Sequence, residues 1–367
     1  LKDQLFNADT VAELSSAVKA AYPKFKQRAF DQEVLQAFPE LELKARINCL
    51  VETLHKHLPD NFNQAVKILN KTMPPPLDPK LTDDDFGHFI WSVPAEYVAR
   101  YGCSKQHLST SLKFLREATM RFSAENAIRP FLRQFLKPTM AFIHECAEHN
   151  NYHVRRLASE GIRPLLPWAP RANVPVADII EVLDRLYADP TRYVVRSVAN
   201  TLNDIAKDEP QLVLDTLQRW RQNKQANTDE LAWLTRHALR TLLKSDHPAA
   251  LSLLGYADPP RFSVSKLKSS ANLRVGEAYR WRCEFKSSVA QKLKINLRIH
   301  YLRANGTHSA KVFVVKDGEF AAGELLLIDK QQPFRPMTTR TLYPGTHYAE
   351  LTVNGTVWKK RRFILEA

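Results

Sequence analysis

Apolar side chains in the first 260 residues recur every three or four positions. Between Leu5 and Ala21 they fall at Leu5, Val11, Leu14, Val18 and Ala21, which predicts a helix capped at Asp9 or Thr10. Between Leu41 and Leu54 they fall at Leu43, Ile47, Leu50, Val51 and Leu54, a stripe along one helical face. The proline-rich run from Met73 to Pro79 stops any helix there, because proline lacks the amide donor and clashes with the preceding turn. Residues 74–85 therefore read as a loop.

Beyond Leu108 the pattern repeats. Phe114-Leu-Arg-Glu-Ala-Thr119, Val154-Arg-Arg-Leu-Ala-Ser159, Val195-Arg-Ser-Val-Ala-Asn200 and Thr235-Arg-His-Ala-Leu-Arg240 place arginines at 116, 155, 196 and 236. That spacing, about 40 residues, is the period of a HEAT-type helical pair. Breakers such as Asp189-Pro190, Glu209-Pro210 and His247-Pro248 separate the helices. Such pairs bury their apolar faces only by stacking, which predicts a mainly α, HEAT-like solenoid over residues 1–260 with a concave surface. Each repeated arginine stands beside an apolar pair. Four at one period are expected to form a basic stripe along the concave face; the alternative is a set of arginines lying over the helix surface.

After Phe262 the period changes from helical to two. Tyr279–Phe285, Leu293–Tyr301, Lys311–Val315 and Glu350–Trp358 alternate, and Asn354-Gly355 between alternating runs predicts a hairpin. Further turns are expected at Asn305-Gly306, Asp317-Gly318 and Pro344-Gly345. Six or seven short strands of this kind predict a smaller, antiparallel, immunoglobulin-like β-sandwich over residues 262–367, with Tyr348 placed as its corner tyrosine. Lys292, Lys294 and Arg298 fall on outward positions, and Lys359-Lys-Arg-Arg362 lies on the last strand. So basic an outer surface is expected to meet phosphates.

Charge sharpens this outline. The 367 residues carry a net charge of +14. Residues 262–367 hold 19 basic and 8 acidic side chains, and residues 100–171 hold 12 and 5. The first 99 residues are acidic, with 11 against 14. Two basic blocks on an otherwise balanced chain suggest a polyanion partner, nucleic acid before membrane. With 10 glycines and neither G-x-G-x-x-G nor G-x-x-x-x-G-K-[ST], glycine-cradled nucleotide sites are excluded. Cys49, Cys103, Cys146 and Cys283 form no C-x-x-C pair, so reduced thiols in a cytoplasmic protein are expected. No apolar run reaches the length of a membrane span, and no signal segment is evident.

His144-Glu-Cys-Ala-Glu-His149 has its histidines five apart, whereas a metal-binding helix of this kind needs them four apart, so no metal is expected. Arg156 and Glu160 are four apart and share a helix face. Arg163 follows three residues later, Gly161 and Pro164 end the helix, and Pro167-Trp168 leaves an indole beside the turn. Taken singly, these are a surface ion pair and a core plug.

The phrase Val154-Arg-Arg-Leu-Ala-Ser-Glu-Gly-Ile-Arg-Pro-Leu-Leu-Pro-Trp168, the phrase Val195-Arg-Ser-Val-Ala-Asn-Thr-Leu-Asn-Asp-Ile-Ala-Lys-Asp208 and the helical repeats together resemble the AlkC branch of the HEAT-like-repeat DNA alkylation repair glycosylases. The resemblance spans the chain, since some AlkC-type proteins carry a C-terminal immunoglobulin-like domain. It implies hydrolysis of the N-glycosidic bond of alkylated bases, chiefly 3-methyladenine, in duplex DNA by a monomer without metal or redox cofactor. It implies catalytic carboxylates at Glu125 and Glu160, with Asp204 a further candidate. It places Trp168 as an aromatic wall with Arg156 nearby, and Arg155, Arg163, Arg196, Asn200, Asn203 and Arg236 on the phosphates. The rival reading is a non-enzymatic HEAT scaffold or DNA-structure binder, because a fold does not fix a function.

Overall fold

A computed structural model describes residues 2–366 apart from Thr82, Asp84, Asp85, Lys224 and 336–340. They form two compact units: Leu1–Glu209 with Arg219–Ala238, and Pro210–Gln218 with Leu239–Ala367.

In the first unit the expected opening helix is split into α1 (Lys2–Leu5) and α2 (Ala8–Ala21). The cap is Asn7, not Asp9 or Thr10. Its side chain accepts the amides of Asp9 and Thr10, and the Thr10 hydroxyl accepts the Asn7 amide, a reciprocal capping box. Next come α3 (Gln27–Ala37), α4 (Leu43–His57) and α5 (Phe62–Thr72). In α4 the expected stripe buries Leu50, Val51 and Leu54. The prolines then end α5, and the chain next turns helical at α6 (Ser92–Gly102) and α7 (Leu108–Ala118).

The repeats follow as α8 (Arg129–Gln134), α9 (Leu136–Ala147), α10 (Tyr152–Glu160), α11 (Val176–Leu186), α12 (Arg192–Ile205), α13 (Pro210–Asn223) and α14 (Thr228–Ala238). Helix α10 packs on α12 and α12 on α14, while α9 and α11 back them. Each stacked helix turns one apolar face inward; α12 buries Val194, Val195, Val198, Leu202 and Ile205. The helix of Arg116 packs instead on α6 and α9. The stack itself therefore carries Arg155, Arg196 and Arg236. No helix among the described residues is long and apolar enough to cross a membrane.

Among the described residues the second unit holds α15 (Arg240–Lys244), α16 (Pro248–Leu253) and eight strands: β1 (Phe262–Ser269), β2 (Asn272–Arg274), β3 (Ala278–Ser287), β4 (Gln291–Leu302), β5 (His308–Phe320), β6 (Leu325–Pro333), β7 (Gly345–Val353) and β8 (Thr356–Glu366). One sheet runs β1-β3-β6 and the other β2-β8-β7-β4-β5. Between them lie Tyr279, Trp281, Phe285, Leu297, Phe334 and Phe363. The sandwich is not wholly antiparallel, because β2 pairs with β8 in parallel. Asn354 and Gly355 both have positive φ, 47° and 82°, and close the two-residue β7–β8 turn, the conformation that twists with the strands.

Three expectations fail here. Asp317-Gly318 makes no turn: β5 runs through it to Phe320, and the Asp317 carboxylate accepts the Tyr256 hydroxyl at 2.5 Å. Tyr348 is no corner tyrosine; it lies within β7, its ring against His308 and under the Lys360 ammonium. Lys292, Lys294 and Arg298 point away from the sandwich core yet not into solvent. Lys292 Nζ donates to the Leu254 carbonyl, and Lys294 Nζ donates to the Leu243 carbonyl.

Asp246 organises that contact. It sits between α15 and α16 with φ 57° and a fully buried side chain. Its carboxylate takes Lys294 at 3.1 Å, Asn296 at 2.7 Å and Arg298 at 3.2 Å. A Cβ at Gly355 would stand 2.3 Å from its carbonyl oxygen. The change from helix to strand comes near Phe262, and packing groups Pro210–Gln218 and the residues from Leu239 onward with the strands. Asp246→Ala would leave the buried Lys294 without its counter-charge and Arg298 with Glu350 alone, so it should destabilise this unit by about 3–5 kcal/mol, read as a lowered urea midpoint.

Candidate active site in the helical unit

Asn151 starts α10 by accepting the His153 amide at 2.9 Å. The helix then aims Arg156 and Glu160 toward two segments distant in sequence. Glu125 lies in the turn before α8. Its Oε2 accepts Arg156 Nη1 at 2.8 Å and the Ser123 hydroxyl at 2.9 Å. Arg156 also donates to the Ser123 hydroxyl, and its guanidinium lies 4.5 Å from the Tyr193 ring centre. Its other nitrogen is 3.7 Å from Glu160 Oε1.

Glu160 accepts Arg163 Nη1 at 2.6 Å on Oε1 and the Ser197 hydroxyl at 2.6 Å on Oε2. The Ser159 hydroxyl donates onward to Ser197 at 2.5 Å. Arg163 Nε reaches Asp204 at 3.0 Å, and Lys207 Nζ lies 3.5 Å from the same carboxylate. The result is one alternating chain: Glu125, Arg156, Glu160, Arg163, Asp204. Burial pushes the Glu160 carboxyl up, but Arg156 and Arg163 overcome it and hold the group below the usual 4.5. The same carboxylates hold the Arg156 and Arg163 guanidinia charged, above the ordinary arginine value, against their own burial.

The two glutamates differ in access. The Glu160 side chain is 5% exposed and the Glu125 side chain 24%. A carboxylate saturated by two partners and closed off is a support; one fixed at a single oxygen and open to solvent can meet a substrate. Glu125 therefore has the geometry of a reacting group and Glu160 that of its anchor.

The indole of Trp168 is 72% exposed, and its backbone φ is 61°, a strained value for an aromatic residue costing about 1–3 kcal/mol. It is no core plug. Two cations hold this loop. Arg129, fully buried, donates to the carbonyls of Gly161 at 2.9 Å, Arg163 at 3.1 Å and Pro170 at 2.7 Å. Lys44 Nζ on α4 donates to the Trp168 carbonyl. Glu96 on α6 is pushed up to about 7 by burial, against the pull of Lys44.

The expected phosphate ligands are less open. Arg155 forms a fork with Asp189, 2.5 and 3.1 Å, and also bonds the carbonyls of His149 and Asn150. Arg163 is buried in the charge chain, and Asn203 is buried too. Asn200 shares a 3.0 Å hydrogen bond with His237. Arg196, half-exposed, pairs with Asp83 at 2.6 Å, and Phe86 stacks edge-on against Tyr193. Arg236 lies in the last turn of α14. His149 spends Nδ1 on the Asn151 amide at 3.0 Å.

Likeness to known proteins covers the whole chain. A family described as the YhaZ C-terminal Ig-like domain matches residues 263–367. The uncharacterized protein YhaZ of Bacillus subtilis is 32% identical over 359 residues, covering 96% of each chain. The structure matches Pseudomonas fluorescens AlkC, an alkylpurine DNA glycosylase solved on DNA with an abasic-site analog. The TM-score is 0.82 and the identity 33%, over 100% of this chain and 99% of that one. The chain belongs to the AlkC family.

Within this AlkC-family chain, sequence reading missed Arg129, Lys44, Tyr193 and Ser197. Arg129 stands four residues after Glu125, so its signal was present but unread. Lys44 is 124 residues from Trp168 and has no local signal. Ser197 follows the repeated Arg196 and looks like an ordinary helix residue.

Glu160→Gln should cost about 3–5 kcal/mol, because it removes a charge that Arg156 and Arg163 both face, whereas Glu125→Gln should cost less, because Glu160 still faces Arg156. Because the Glu160 carboxyl is depressed in the folded state, its stabilisation is complete above pH 4.5 and is lost as pH falls through the folded value. Glu160→Gln should therefore flatten that part of the acid limb in urea titrations run at several pH values.

Proposed function

We propose that this protein is a DNA glycosylase that releases alkylated bases, chiefly 3-methyladenine, from duplex DNA by hydrolysing the N-glycosidic bond. The observation that carries the reading is the full-length likeness, at 33% identity, to a glycosylase solved on DNA. The site's chemistry agrees with it. A 3-methylated adenine is cationic, so the C1′–N bond breaks with its electron pair leaving on a base that departs neutral. Positive charge develops at the sugar. The Glu125 carboxylate stabilises that charge, then accepts one proton as water adds at C1′. The products are the free base and an abasic sugar. Glycoside hydrolases meet the same oxocarbenium-like state with carboxylates.

Arg156 and Ser123 fix the carboxylate, and Arg156 is in turn fixed by Glu160 and the Tyr193 face. Glu160, Arg163 and Asp204 are then positioning residues. Trp168 offers an indole face to the cationic base or sugar, an attraction of about 0.5–2 kcal/mol. Arg196 and Arg236 grip phosphates, with Arg196 exchanging Asp83 for the DNA backbone. On the sandwich, exposed Lys359 and Arg361 reach phosphates, while Lys292, Lys294 and Arg298 are spent within their own unit.

Base release from methylated duplex, separated by chromatography, tests the reading. Glu125→Gln should slow 3-methyladenine release by about 100-fold or more while DNA affinity is retained. Normal release by that variant removes Glu125 from the chemistry. Replacing Lys359 and Arg361 by alanine should flatten the salt dependence of binding by about 0.9 in log–log slope for each phosphate no longer neutralised.

A further inference from the structure

The loop between α10 and α11 leaves the charge chain at Glu160 and returns to helix at Val176. Its tip carries Trp168. Arg129 cinches its base, because one guanidinium holds carbonyls on both limbs, Gly161 and Arg163 on the outgoing side and Pro170 on the returning side. The outgoing limb is also tied through its side chain, since Arg163 holds Glu160 and Asp204. These bonds fix the limbs; the tip is a turn of its own, closed by the Ala169 amide donating to the Leu166 carbonyl at 3.3 Å, and the Trp168 carbonyl of that turn is held by a further group. That group is Lys44, which comes from α4 and donates to the Trp168 carbonyl.

We propose that Lys44 is a positioning residue for the proposed glycosylase reaction: it anchors the turn that carries Trp168 to α4, and so presents the indole to the alkylated nucleotide. Three observations carry this. The indole is exposed, so packing does not hold it. Its φ of 61° belongs to the third position of the turn from Leu166 to Ala169, with Pro167 before it, and that turn puts the indole at the tip. The carbonyl of that turn is held from a helix more than a hundred residues away, by an exposed lysine whose ammonium also faces the Glu96 carboxyl. An ammonium on a flexible stem suits this task, because it needs one donor at one oxygen and tolerates small adjustments of the loop. The proposal rests on the reading that Trp168 faces the lesion.

Lys44 is at the surface, so its variants test position without testing folding; Arg129 is buried and would confound the two. Single-turnover release of 3-methyladenine is measured for wild type, Lys44→Ala, Lys44→Arg, Trp168→Ala and the double variant Lys44→Ala with Trp168→Ala. DNA affinity is measured beside each. Lys44→Ala should slow release about tenfold at unchanged affinity, less than the ~100-fold that ångström-scale misplacement can cost. Lys44→Arg should restore most of the rate. In the Trp168→Ala background, removing Lys44 should cause no further loss.

A second readout needs no activity. In protein labelled with 5-fluorotryptophan, the Trp168 resonance, assigned by Trp168→Phe, should shift or broaden on Lys44→Ala while the other tryptophans stay put. An unmoved resonance, or an equal rate loss with and without Trp168, overturns the role given to Lys44. A Trp168→Ala enzyme as fast as wild type, with the resonance still moved by Lys44→Ala, overturns instead the reading that the indole faces the lesion.

Discussion

Arg156 stands between two carboxylates, and the site takes its form from that constraint. A guanidinium removed from water must be matched by negative charge, and Glu125 and Glu160 supply it from opposite sides. Matching one arginine leaves surplus negative charge on Glu160, which Arg163 answers, and Arg163 in turn draws in Asp204. The alternation ends at Lys207, where the side chains reach solvent. Each ion is tolerable only because its neighbours are in place. A turn before α8, helix α10, the loop after it and helix α12 are thereby joined by charge as well as by apolar packing.

This arrangement gives two identical side chains different work. Glu160 is held by hydrogen bonds on both oxygens and shielded, so it keeps its charge to lower pH than an ordinary carboxyl and its position is fixed. Glu125 is held from one side and open on the other. Rigidity is concentrated in the part that solvent does not reach, and the exposed carboxylate inherits it through a single guanidinium. Preorganisation of this kind lets a charged group face a developing cation without reorienting during the reaction.

Much of this was legible in the sequence, and the omissions have physical causes. Helical spacing, the repeat near 40 residues and the switch to alternation at Phe262 reflect local burial, which a linear pattern records. Asn354-Gly355 was readable because few residue pairs accept two positive φ values in succession. Alternation, however, separates a strand's two faces without saying what covers the outer one. Lys292, Lys294 and Arg298 thus read as phosphate ligands, although a helical segment of their own unit receives them. Net charge misleads in the same way. Residues 100–171 are strongly basic, yet Arg155, Arg156 and Arg163 are neutralised by carboxylates within the fold, and Arg129 is turned inward onto carbonyls. Long-range pairs such as Arg155 with Asp189 or Lys44 with Trp168 leave no periodic trace.

Asp246 has a bearing on how such proteins are inherited. The strands look like a detachable module, and a family description that begins at residue 263 treats them as one. The carboxylate that neutralises the outer face of β4 lies some 17 residues before that point, at a kink between two short helices. A gene rearrangement that copied the strands alone would deliver them with Lys294 buried and lacking its counter-charge, and with Arg298 left to Glu350. The smallest transferable piece is therefore the sandwich together with its helical preface, and a descendant that kept one without the other would need a new anion in the place of Asp246.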